Sequence, residues 1–321
     1  MMDNILLLRE NAVDIYKNYE TAIRLFAKFL MGLILFTVIG NIDYLSPGFA
    51  FIGKPQFSLP INLALSFLFT FLPATLAFLT VIADIAARLS AAPEICVIVT
   101  LLMLCVELFY VRMAPRESFL IIVTVLLFYF KLPYIAPLMA GLYFGMTSAV
   151  PVALGVCIWS FAGVVKNAVE ATASSGFDIT QLPAAFGAAY AAILSGFTAN
   201  FSWAVTAFIF CVVILAVNMI SRLSVNHSKD FALALGCVLC VVSFLVVILI
   251  VSADIGIPGM LISTVISGLI VRAVMFFDCV LDYRQVERVQ LEDNDNYYYV
   301  KIVPKIVPHR RTGALKRITR G

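Results

Sequence analysis

Charge and histidine are what this 321-residue chain has least of: 13% of its residues are Asp, Glu, Lys or Arg, and only two are His. Ordinary soluble domains carry about 25% charged residues, so a soluble fold is excluded on surface polarity alone. His227 and His309 fall in a short polar stretch and in the C-terminal tail, which rules out a histidine-coordinated zinc or a Ser-His dyad within an apolar segment. No His-Glu-x-x-His, Walker A loop or strand-following G-x-G-x-x-G is present. The expectation is a chain that is not an enzyme and has no cofactor and no metal.

What is abundant is apolar surface, 62% of the residues, gathered into long, nearly charge-free blocks. A bilayer crossing takes about 20 such residues. Eight blocks stand out: Phe29 to Tyr44, Leu59 to Ala83, Ile95 to Val111, Phe119 to Phe130, Tyr134 to Val165, Trp203 to Ile220, Phe231 to Val251 and Ile257 to Phe277. The fold class expected is an all-α polytopic integral membrane protein of about eight transmembrane helices (7–9), with a small cytoplasmic β-hairpin in its tail. Four regions follow: an amphipathic cytoplasmic N-terminal helix over 1–28, a transmembrane domain over 29–281, the hairpin over 282–303 and a basic, disordered tail over 304–321. The leader carries charges of both signs and no small-residue cleavage site, so the run from Phe29 reads as an uncleaved anchor.

Lys and Arg accumulate on the cytoplasmic side of spans. With eight spans and both termini inside, Arg9, Lys17, Arg24, Lys28, Arg88, Lys131, Arg222, Lys229 and the nine basic residues after Arg272 are cytoplasmic, whereas Lys54, Arg112, Arg116 and Lys166 are outside. That asymmetry supports an even number of spans with both ends cytoplasmic. The chain's partners are then the bilayer and, through the basic tail, anionic headgroups, with no nucleic acid. Residues 183–196 are too weakly apolar for an ordinary span and read as an outer interfacial or re-entrant helix.

The tail segment Glu287-Arg-Val-Gln-Leu-Glu-Asp-Asn-Asp-Asn-Tyr-Tyr-Tyr-Val-Lys-Ile-Val-Pro-Lys305 alternates polar and apolar residues around an acidic turn. It resembles the tails of uncharacterised multi-pass proteins of Gram-positive anaerobic bacteria. The resemblance implies a bacterial plasma membrane and no particular activity.

Few groups carry chemistry. Cys237-Val-Leu-Cys240 sits inside an apolar run and reads as packing. Asp278 and Asp282 share a helix face, but the Asp-x-x-Asp-Gly and Ala-Arg elements of CDP-alcohol phosphotransferases do not precede them. They read as a solvated helix end. Asp84 and Arg88 read as a routine surface i, i+4 pair. Ionisable groups inside spans mark function by default, which singles out Glu107 and Arg272. Both are expected to avoid lipid, Glu107 near Arg112 and Arg272 near Asp278 or Asp84. Pro137 and Pro151 are expected to break the fifth block, and Gly141-Leu-Tyr-Phe-Gly145 offers a close-approach face. Glu107, Pro137, Gly141, Gly145, Pro151 and Arg272 are therefore the substrate-pathway candidates of a transporter, or transporter subunit, for a small solute or lipid-linked substrate. The competing reading is a non-catalytic envelope or regulatory scaffold.

Overall fold

The computed structural model describes residues 12, 15–16, 18–40, 55–90, 92–172, 182–199, 201–223, 227–251, 257–278, 287–292 and 297–302. Most of the leader, Asp282, the acidic turn 293–296 and everything from 303 onward lie outside the described residues. Residues 21–273 form one compact unit, and residues 1–20 with 274–321 group as another.

The helices are α1 (Glu20–Ile39), α2 (Pro55–Phe71), α3 (Ala74–Arg88), α4 (Pro93–Val106, continued by a π turn Glu107–Val111), α5 (Phe119–Tyr129), α6 (Ile135–Met139, continued by a π turn Ala140–Phe144), α7 (Ala149–Thr172, preceded by a 3-10 turn Met146–Ser148), α8 (Leu182–Ala199), α9 (Ser202–Ser221), α10 (Ser228–Val251) and α11 (Ile257–Asp278). Six helical segments are long and apolar enough to cross a membrane: Glu20–Ile39, Pro93–Val111, Met146–Val169, Ser202–Ser221, Ser228–Ile248 and Ile257–Phe277. In the tail, β1 (Glu287–Glu292) pairs antiparallel with β2 (Tyr297–Ile302), Val289 opposite Val300.

Two of the apolar blocks are not single crossings. Leu59 to Ala83 folds back at Leu72-Pro73, where Pro73 takes φ −62 and ψ 159 and starts α3 afresh. In a continuous helix Asn62 and Arg88 would lie about 39 Å apart. Instead Arg88 Nη2 donates to Asn62 Oδ1 at 2.9 Å, and Lys28 Nζ caps the turn by donating to the Leu72 carbonyl at 2.7 Å. The chain turns here because proline disfavours helix at the residue before it and has no N–H to give.

The block Tyr134 to Val165 also folds back, and the prolines are not the cause. Pro137 and Pro151 each occupy the third position of their helix, within the first turn, where a missing N–H costs nothing. The break is at Gly145, with φ 91 and ψ −173, a backbone region essentially reserved for glycine. α6 runs alongside α9, Tyr134 against Phe210 and Gly141 against Val217. α7 runs back along α5, Gly155 against Thr124 and Trp159 stacked on Phe128.

These reversals sort the helix ends. Thr147 Oγ1 donates to Glu117 Oε1 at 2.7 Å, and a Cβ on Gly145 would lie 3.4 Å from Arg222 Nη2. Glu117 and Arg222 therefore share one end of the bundle, although the eight-span division set Arg112 and Arg116 against Arg222 and Lys229. The π turn of α4 packs on α3, which brings the Leu72 turn and Lys28 to that end too. Gly40, Asn62 and Arg88 are at the other.

The core of this half joins α1, α3, α4, α5, α7 and α8 through Phe36, Phe78, Ile95, Ile121, Phe161 and Ile193. Phe36 meets Phe69 edge to face at 6.1 Å.

Candidate functional site: a short helical hairpin and its base

The α5–α6 pair is too short to cross a bilayer. Eleven residues of α5 rise about 16 Å, and the ten from Ile135 to Phe144 about 15 Å, against a hydrocarbon core of about 30 Å. At its tip, residues 130–134, Phe130 is half exposed, while Tyr134 is buried and packs edge-on against Phe210 and Phe244, with ring centroids 6.3 and 5.5 Å away. The base is where Glu117, Thr147 and Arg222 gather.

α5 stops because Lys131 takes φ 60. Lys131 N–H donates to the Phe128 carbonyl at 3.0 Å and Leu132 N–H to the Leu127 carbonyl at 2.9 Å, the pattern of a Schellman cap, whose left-handed position normally holds glycine. A lysine there costs about 1–2 kcal/mol relative to glycine. Ser263 Oγ, from α11, donates to the Lys131 carbonyl at 2.9 Å and pins the tip. The Lys131 side chain is exposed.

At the base, the backbone groups freed by the break find specific partners, as buried backbone must. Asn218 Nδ2 donates to the Gly141 carbonyl at 3.0 Å, and Ser148 Oγ donates to the carbonyls of Gly145, at 2.5 Å, and Ala140, at 3.3 Å. Asn218 is buried, and its Oδ1 has no hydrogen-bond partner. Lys229 Nζ lies 5.7 Å from the centre of the Tyr143 ring. The start of the Met146–Val169 helix, with its uncompensated N–H groups, thus opens beside the Arg222 guanidinium. Adding a methyl at the break, Gly145→Ala, should cost about 1–3 kcal/mol because the backbone rather than the space is unsuited to it; thermal unfolding in detergent measures this, and an unchanged midpoint would show that the turn relaxes.

The structure unites four of the six sequence candidates, Pro137, Gly141, Gly145 and Pro151, in this one segment and leaves two outside it. Glu107 opens the π turn of α4, is 5% exposed and has an Oε2 without a hydrogen-bond partner. Arg272 pairs with Asp230 of α10, and Asp84 with Arg88, while the Asp278 side chain lies outside the described residues; Asp230 also faces His227 Nδ1 at 3.4 Å. Asn218, Arg222, Ser148 and Lys131 were not singled out from sequence, because Asn218, Arg222 and Lys131 are ordinary residues near block ends and Ser148 is one small residue in the middle of the fifth block. The one available signal was length, an apolar run of a dozen residues followed by Lys-Leu-Pro.

The Asp84–Arg88 pair is not at a surface. Arg88 is fully buried, its Nε donates to both Asp84 oxygens at 3.1 Å, and Asn62 and the Gly40 carbonyl, 3.5 Å from Nη1, take the remaining face. The i, i+4 spacing was legible; its burial came from the fold-back of α2. Among the described residues no group of three or more His, Cys, Asp or Glu is placed to hold a metal.

An internal cavity of about 150 Å³ lies between α1, α3, α4, α5 and α7, walled by apolar side chains such as Ile39, Phe78, Met103, Ile122 and Trp159. Neither Glu107 nor any residue from Pro137 to Pro151 lines it. No protein-family model, curated protein or solved structure is detectably similar to this chain.

Proposed function

We propose that this chain is a plasma-membrane transporter or the membrane subunit of one, acting on an anionic small solute or the anionic headgroup of a lipid-linked substrate, with α5–α6 as a re-entrant hairpin in its pathway. One observation carries the reading: a hairpin about half the thickness of the hydrocarbon core ends in an exposed lysine, held in a left-handed conformation that glycine would adopt at lower energy. Non-helical backbone at membrane depth is tolerated where it is buried in protein or lines water, and a cation there is costly unless it has a polar path. At the hairpin base Arg222 and the α7 N-terminus are a second positive element, beside the Glu117 carboxylate that accepts from Thr147.

In this topology eight helices cross, α1, α2, α3, α4, α7, α9, α10 and α11, while the α5–α6 hairpin enters and returns and α8 stays at one interface. Arg9, Lys17, Arg24, Lys28, Arg112, Arg116, Arg222, Lys229, Arg272 and the basic tail with its hairpin then lie together in the cytoplasm, and Lys54, Arg88, Lys131 and Lys166 do not. Arg112 and Arg116 move inside while Arg88 and Lys131 leave it, so the positive-inside bias is kept. Both termini are cytoplasmic in this reading.

The test is labelling of single cysteines by a membrane-impermeant thiol reagent in intact cells. Lys131→Cys should react from outside through a watery vestibule, while Met113→Cys and Leu223→Cys should react only after permeabilisation. A Lys131→Cys that never reacts would remove the pathway, and Met113→Cys reacting from outside would overturn the topology. The apolar internal cavity favours a second reading, a solid scaffold whose tail recruits cytoplasmic partners; an inert Lys131→Cys with the topology intact is its signature.

A further inference from the structure

α10 and α11 meet closely at one level, where a Cβ on Gly268 would come within 3.0 Å of Cys237 Sγ. Beside that contact they leave a groove of about 630 Å³. Its walls are apolar, with Val238, Val242, Leu261, Val265 and Leu269 along them. From Asp230 to Val242 the groove follows α10 for about 18 Å, the reach of a fatty acyl chain. It ends at the only charged residues that line it, Asp230 and Arg272.

Arg272 is more than half exposed. Asp230 takes one guanidinium Nη1–H, and Arg272 lines the groove. A planar guanidinium with free donors matches a phosphate bidentately. Lys229, next in sequence to Asp230, and Arg222 at the end of α9 leave this end of the bundle with net positive charge even after Asp230 is counted. An excess of fixed positive charge beside an apolar trough favours a lipid whose headgroup carries net negative charge over a zwitterionic one.

We propose that this groove is a phospholipid site, one acyl chain lying between α10 and α11 and the phosphate of an anionic headgroup resting on Arg272. The site is independent of the transport reading, since it needs neither the hairpin nor a substrate. It gives α11 a lipid as part of its packing, along the flank where Val265 and Leu269 are otherwise 61% and 65% exposed.

The full-length chain, purified in mild detergent and incubated with equimolar phosphatidylglycerol and phosphatidylcholine of the same acyl chains, can be weighed intact by native mass spectrometry. The wild type should retain phosphatidylglycerol over phosphatidylcholine by about tenfold, because both offer the same phosphate and only choline brings a positive charge against Arg272. Arg272→Gln should abolish that preference while still retaining lipid. Val265→Trp, which fills the groove from an exposed position, should retain one fewer lipid of either kind with the same helical content and elution volume. Equal retention of the two lipids by the wild type, an unchanged preference in Arg272→Gln, or an unchanged lipid number in Val265→Trp would each overturn the site. So would disulfide-linked dimers from Val265→Cys, which would show the groove filled by a second copy.

Discussion

Asp84→Ala should destabilise the protein by about 3–5 kcal/mol, the largest effect expected of any single truncation, because it leaves a fully buried guanidinium without its counter-ion. Arg88 is 0% exposed and Asp84 5%, so water cannot take over the lost contact. Arg88 links three elements: α3 through Asp84, α2 through Asn62 and the end of α1 through the Gly40 carbonyl. Removing the aspartate therefore unsettles the fold-back of α2 on α3 as well as one pair. The double change Asp84→Leu with Arg88→Leu should be milder than the single one, since the uncompensated charge is gone and only the neutral Asn62 and Gly40 carbonyl lose a partner, at about 1–3 kcal/mol each. Reversible unfolding in mixed detergent micelles reads both. A single variant costing less than its double would show that the pair is solvated and does not clamp the three helices. The same burial reverses an expectation from sequence: Arg88→Gln, a mild change in a surface pair, becomes a structural lesion.

The second large effect separates two glycines that look alike on paper. Gly155→Leu should destabilise by more than the roughly 1–3 kcal/mol typical of overpacking, because even its Cβ would lie 2.6 Å from Thr124 Cβ and 3.1 Å from the Ile121 carbonyl. Backbone cannot rotate out of the way, so α7 must move off α5, and the Trp159–Phe128 stack one helical turn above must open with it. Gly163→Ala, on the same helix, has nothing within 4 Å of the added carbon and should be neutral or stabilising by about 0.5–1 kcal/mol through helix propensity. Melting temperatures of the two variants decide it. If both fall equally, the α5–α7 contact is looser than its distances say, and the short hairpin is not anchored by α7.

How the site was and was not legible follows from these residues. Glu107 drew attention by being alone in an apolar run, and its burial rests on the same logic that raised it: an ionised group in hydrocarbon is too costly to leave bare. Arg272 drew attention for the same reason, but its partner Asp230 is 42 residues away, a pairing that only the α10–α11 contact creates. Gly141 and Gly145 were noticed as a close-packing pair, and they turn out to differ in kind. Gly141 is small because Val217 Cβ and the Ile214 carbonyl would stand 2.9 and 3.0 Å from a side chain, whereas Gly145 is glycine because of φ 91.

What the sequence by itself determined is the solvent and the elements: so many apolar residues in charge-poor runs admit only a helical membrane protein, and the runs locate its helices to within a few residues. What only the tertiary structure decided is direction. Hydropathy is the same whether a run continues or doubles back, so Leu59 to Ala83 read as one segment, and Tyr134 to Val165 was expected to break at its prolines rather than at Gly145. The turns at Pro73 and Gly145 become visible only when Asn62 meets Arg88 and Thr147 meets Glu117, since a bilayer rewards apolar length without specifying which way a helix runs.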